Sequence, residues 1–88
     1  MDPRTDFAWD WQHITADTLV RMGQGVLHTI VVNTVGKAGW VEVFDGGDRV
    51  AIIRADFSQP RTLVYDLEYH VNLAIIVVGV WDLTVNYK

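Results

Sequence analysis

Three histidines, His13, His28 and His70, are the side chains here best suited to hold a metal or move a proton near neutral pH. None has a second ligand at the i, i+4 or H-x-H spacing that presets a site on one element, so a metal centre needs distant segments to converge. His28 stands inside the run Val26-Leu27-His28-Thr29-Ile30-Val31-Val32 and reads as a core or interface histidine whose ring nitrogens find hydrogen-bond partners. Asp45-Gly46-Gly47-Asp48 carries two carboxylates but lacks the regular acidic spacing that gives calcium its six or more oxygens, and reads as a tight turn. Asp66 and Glu68 have the residue types of a glycosidase pair, yet two-residue spacing is what any solvated strand face shows. Ser58, the lone serine, precedes Gln59-Pro60 and has no motif that would activate a nucleophile. Gly23-Gln24-Gly25 is too short for a phosphate-binding fingerprint and leads into a strand, so no helix N-terminus faces a ligand; a bend or bulge is expected. No catalytic residue, metal ligand set or cofactor is expected.

The four tryptophans are the remaining chemistry. Trp9, Trp11, Trp40 and Trp81 offer either a stacking platform for sugar rings or anchors for protein contacts, where aromatic residues concentrate binding energy. Protein contacts are the favoured reading, with Phe7, Trp9, Trp11, Trp40 and Trp81 as the interface residues.

Strands must position these groups. Leu63, Tyr65, Leu67 and Tyr69 alternate with Thr62, Asp66 and Glu68, the period of a half-buried strand, and Leu83, Val85 and Tyr87 alternate likewise with Asp82, Thr84 and Asn86. Leu73 to Val78 is apolar on both faces, which suits a central strand packed on both sides or one whose outer face meets a partner. Trp40 to Phe44 and Arg49 to Arg54 flank the Asp45 to Asp48 turn as a β-hairpin. With Thr18 to Met22 and the run through His28, about seven strands follow, broken by turn-rich segments at the rhythm of a sandwich. Residues 17–88 are expected to form one small antiparallel β-sandwich of jelly-roll type, and residues 1–16 an extended N-terminal arm whose Phe7, Trp9 and Trp11 share one side.

Composition bounds the partners. In 88 residues, half are hydrophobic and 20% are charged, with no cysteine, so neither disulfides nor thiolate-bound metals stiffen a domain whose size leaves much apolar surface near solvent. Oligomerisation is the remaining remedy. A net charge of −4 with scattered Lys and Arg argues against a nucleic-acid partner. The longest apolar run, Val71 to Val80, is about half the roughly 20 residues of a membrane-spanning helix, and the first residues do not read as a secretion signal.

The ordered series Gly23-Gln24-Gly25-Val26-Leu27-His28-Thr29-Ile30-Val31-Val32-Asn33-Thr34, Val43-Phe44-Asp45-Gly46, Thr62-Leu63-Val64-Tyr65-Asp66, Asn72-Leu73 and Asp82-Leu83-Thr84-Val85-Asn86-Tyr87 resembles a pattern in small virion proteins of tailed bacteriophages, the capsid decoration or cement proteins. Asn72 stands where that pattern commonly has glycine. The resemblance implies a jelly-roll sandwich, made in the host cytoplasm and carried on the outer surface of the virion head. It further implies a homotrimer that bridges major capsid protein subunits without enzymatic activity. The alternatives are a carbohydrate-binding module with Trp40 or Trp81 as its platform, or a tail or connector component.

Overall fold

The computed structural model describes residues 9–34, 39–54 and 62–88. These form eight strands: β1 Asp10–Ile14, β2 Thr18–Met22, β3 Gly25–Thr34, β4 Trp40–Asp45, β5 Asp48–Arg54, β6 Thr62–Tyr69, β7 Asn72–Val78 and β8 Asp82–Tyr87. They build two antiparallel four-stranded sheets, ordered β1-β8-β3-β6 and β2-β7-β4-β5. The chain is thus doubled about the β4–β5 hairpin: β3 pairs with β6, β2 with β7 and β1 with β8, and the doubled ribbon wraps into two facing sheets. This is the jelly-roll arrangement, which stacks two sheets so that each buries one face. No helix long and apolar enough to cross a membrane occurs among the described residues.

The hairpin tip starts the doubling. Asp45 pairs with Asp48 across two residues, and Gly46, the first of them, has φ +61°, the angle that a II′ hairpin turn requires there and that glycine adopts without a Cβ clash.

Strand alternation does the rest. Ile14, Leu27, Ile30, Val32, Leu83 and Val85 from one sheet meet Val41, Val43, Ile53, Leu73 and Ile75 from the other, all buried. Among the described residues no buried side chain is polar or charged. The expected alternation of β6 holds: Leu63, Tyr65, Leu67 and Tyr69 turn inward, while Thr62, Asp66 and Glu68 are exposed. Tyr69 closes one end of the core by donating its hydroxyl to the Lys88 carbonyl at 3.0 Å, directly over Gly25.

Two expectations are corrected. The arm expected over residues 1–16, extended across its own sandwich or a neighbouring subunit, is over residues 10–14 a strand of the sandwich itself: β1 is an edge strand paired with β8 from Asp10↔Tyr87 to Ile14↔Leu83, so the sandwich begins before residue 17. Pairing satisfies the backbone donors and acceptors that an arm would leave in water, and Ile14 joins the core at 1% exposure. Trp81 is not an interface residue. It is 2% exposed in the connection between β7 and β8, where its indole N–H donates to the Val78 carbonyl at 3.1 Å; a ring of this size gains more from the core than from a partner.

Gly25 provides a direct test of this packing. A Cβ there would lie 2.1 Å from the Lys88 carbonyl oxygen and 2.3 Å from the Tyr69 hydroxyl, so Gly25→Ala is expected to lower unfolding free energy by about 1–3 kcal/mol in urea titration. Gly47→Ala, with nothing within 4 Å, is expected to stay within about 0.5 kcal/mol of wild type.

Candidate functional site

The outer face of the β1-β8-β3-β6 sheet gathers the histidines. Between Leu27 and Thr29 the registers of β3 with both β8 and β6 shift, which places bulges at His28 on β3 and at Tyr65-Asp66 on β6. Asp66 has φ +47°, a left-handed angle that Asp tolerates better than most residues. The two bulges turn their side chains toward each other: His28 Nδ1 and Asp66 Oδ1 are 2.5 Å apart. Trp9 stacks on the His28 ring with centroids 4.4 Å apart and planes 12° from parallel, and Lys88 Nζ lies 5.8 Å from the Trp9 ring centroid. Trp9 is therefore engaged within its own chain.

A second cluster lies further along the same face. Asp82 Oδ1 is 2.6 Å from His13 Nε2 and accepts from Asn33 Nδ2 at 3.1 Å, and the same amide donates to the Thr84 hydroxyl at 3.0 Å. The side-chain amide of Asn33 and the His13 ring hold the Asp82 carboxyl below the usual aspartate range. Both clusters are imidazole–carboxylate pairs, which could orient a general base. Neither imidazole, among the described residues, is hydrogen-bonded to a hydroxyl that it would activate. Among the described residues, no group of three or more His, Cys, Asp or Glu side chains could hold a metal ion.

A depression of about 320 Å³ beside Asp82, lined by Thr15, Thr34, Gly79, Val80 and Trp81, reaches only the lower end of the roughly 300–1,000 Å³ of ligand pockets. Its single charged group is already committed to His13 and Asn33.

Asp45 is a structural carboxylate rather than a ligand. It accepts from the backbone N–H groups of Val71 and His70 at 2.8 Å each and of Asn72 at 3.4 Å, while Asn72 Oδ1 accepts from the Gly46 N–H at 2.9 Å. The N–H of Gly23 adds a bond to the Val71 carbonyl at 2.9 Å, so three turns at this end of the sandwich interlock. The backbone donors, Val71 first and then His70, lower the Asp45 pKa.

The outer face of the β2-β7-β4-β5 sheet has a different character. Alternation places Leu19, Ala74, Ile76, Val78, Trp40, Phe44 and Ile52 on it, with Glu42 as the acidic group among them. Glu42 accepts the Trp40 indole N–H at 2.7 Å and lies 4.0 Å from Arg49. Trp40 is thus placed on an outer face, half-buried by its neighbours. Leu19 and Met22 on β2 are 54% and 68% exposed on this face, whereas Trp11 on β1, 68% exposed, lies on the outer face of the other sheet opposite Asn86. Of the interface residues expected from sequence, Trp11 and Trp40 reach exposed or half-exposed surfaces, Trp9 stacks on His28, Trp81 is in the core, and Phe7 lies outside the described residues, as does Ser58.

No protein family, curated protein or solved structure compared with this chain matches it.

Asp45 and Asp82 predict an acid sensitivity of defined sign. A carboxylate whose pKa is lower in the folded than in the unfolded chain stabilises fully above the unfolded value, and that stabilisation disappears as pH falls through the folded one. The melting temperature is therefore expected to hold near neutral pH and to fall below about pH 4, near the ordinary aspartate value. Asp45→Asn should melt lower at pH 7 and converge on wild type in acid. Parallel curves at all pH values would remove Asp45 from this role.

Proposed function

We propose that this protein is a structural virion component of the capsid decoration type, a homotrimer that binds the outer surface of a phage head and bridges major capsid protein subunits. The observation that carries the reading is the apolar outer face of the β2-β7-β4-β5 sheet, which runs from the exposed Leu19 and Met22 on β2 to Ile52 on β5. Leu19 and Met22 would each gain from leaving water, at about 25 cal/mol per Å² of apolar surface covered. Contiguous patches of this kind mark contacts with other molecules.

The sequence pattern running from Gly23 to Tyr87 supports the same assignment, and the jelly-roll sandwich is the fold it implies. The role needs no chemistry. A trimer that grips several shell subunits gains avidity, because each further contact forms at high effective concentration.

One observation favours a second reading. Trp11, exposed beside the polar Asn86 and Thr29 of its neighbouring strands, has the make-up of a sugar-stacking platform, whereas Trp81 is buried and Trp40 has its N–H on Glu42.

The purified chain is expected to cosediment saturably with heads assembled from a tailed-phage major capsid protein, at a stoichiometry that is a multiple of three. Its tryptophan fluorescence should not respond to oligosaccharides. A chain that stays in the supernatant at every concentration overturns the decoration reading, and a saturable sugar-dependent fluorescence shift abolished by Trp11→Ala replaces it with the glycan-binding one.

A further inference from the structure

The described strands leave four sheet edges open, β1 and β6 on one sheet and β2 and β5 on the other. Three of them are interrupted. The ladders of β2, β5 and β6 each carry a register shift, with the extra residue at Val20, at Val50 and at Tyr65-Asp66 of the edge strand itself. Bulges of this kind twist an edge away from a flat partner and guard it against strand addition. β1 has none: it runs from Asp10 to Ile14 against β8 without a shift, and it contains no proline, lysine or arginine. Ile14 faces the core, so by alternation Gln12 and Asp10 share its side, and Trp11 and His13 take the outer one. Trp11 is left 68% exposed there.

We propose that β1 pairs antiparallel with β1 of a second copy across a two-fold axis at Trp11, joining two β1-β8-β3-β6 sheets into one continuous sheet. The residues around Trp11 suit such an axis. On the outer face Trp11 meets Trp11 of the second copy, an aromatic pair of the kind that stabilises cross-strand contacts. On the other side Asp10 lies opposite Gln12 in both directions, so each carboxylate faces an amide donor, and the two Asp10 side chains sit diagonally rather than opposite each other. Trp9 and His13 follow on the outer face, and each is already held within its own chain, Trp9 on His28 and His13 on Asp82. An axis at Gln12 instead would set the Asp10 carboxylate against Ile14, a core residue with no polar side-chain group to receive it. The contact closes the one regular open edge with backbone hydrogen bonds, and covers the exposed indole. It goes beyond the decoration reading and does not rest on it: the outer face of the β2-β7-β4-β5 sheet stays open, and copies already held in trimers are joined as pairs of trimers.

The axis makes residue 11 its own neighbour, and native mass spectrometry of Trp11→Lys and Trp11→Glu tests this. Wild type is expected as dimers, or as hexamers where the three-fold contact also forms. Each variant alone sets like charges against each other and should lose about tenfold or more in dimer affinity, whereas an equimolar mixture of the two should regain mixed dimers. Position 11 is exposed, and retained circular dichroism and cooperative unfolding verify the fold of each variant. Because the chain has no cysteine, Trp11→Cys reports the register. Under mild oxidation it should form a disulfide-linked dimer about ten times faster than Gln12→Cys, or than Val64→Cys at the other edge of the same sheet, where the side chain is 65% exposed. A wild-type chain found only as monomer or trimer overturns the two-fold contact, as does a mixture that fails to pair. Cysteine variants that cross-link at equal rates, or fastest at position 12, overturn the Trp11 axis. Heads that still take up Trp11→Lys in any of these events leave the decoration reading standing, whereas dimers that form but ignore heads overturn that reading alone.

Discussion

The structure depends on the mutual burial of two inner sheet faces. Each strand turns alternate side chains inward, and neither four-stranded sheet has another apolar surface wide enough to cover that face. Ile30 and Val85 on one sheet and Val43 and Ile75 on the other are fully excluded from water only because the sheets stack. Without cysteines to close loops, this contact carries the stability of the domain, which explains why Trp81 is drawn into the core instead of being left for a partner.

Holding the sheets together requires that the doubled ribbon stay in register. Pairing of β1 with β8 joins opposite ends of the chain, and such long-range closure costs loop entropy before its contacts form. Two devices elsewhere on the ribbon oppose slippage. Gly46 sets the hairpin tip, and the Asp45 carboxylate with the Asn72 amide ties this tip to the turn between β6 and β7. The bulges at His28 and Asp66 act similarly on the other sheet: a one-residue slip would separate the two side chains and turn the inward set of β6 toward water.

The two outer faces follow from different demands. On the β1-β8-β3-β6 face, imidazole, carboxylate, amide and hydroxyl groups pair across strands, so the surface is content in water. The opposite face has little such pairing beyond Glu42, and its apolar rows continue from β7 through β4 to β5. A partner that covers this face gains what the chain's own fold does not supply, and in an assembly with several such contacts a modest gain per contact is enough.

Local pattern was sufficient for much of this protein. The alternation in residues 62–69 and 82–87, the Asp45 to Asp48 reversal and the doubly apolar β7 are each visible in the order of side chains, because strand period and turn chemistry act over a few residues. The assignment of residues 10–14 to a strand of the sandwich was hidden, since what makes them a strand is β8, more than 60 residues away, and nothing in their own alternation distinguishes a paired strand from a free arm. Trp9 and His28, Asp66 and His28, and Asp82 with His13 and Asn33 are likewise meetings across the sheet that no spacing along the chain records. The residue types and their two-residue rhythm came from the sequence. Which tryptophan is core, which is stacked and which faces outward was decided only when the ribbon folded on itself, because burial depends on what lies opposite and not on what lies adjacent.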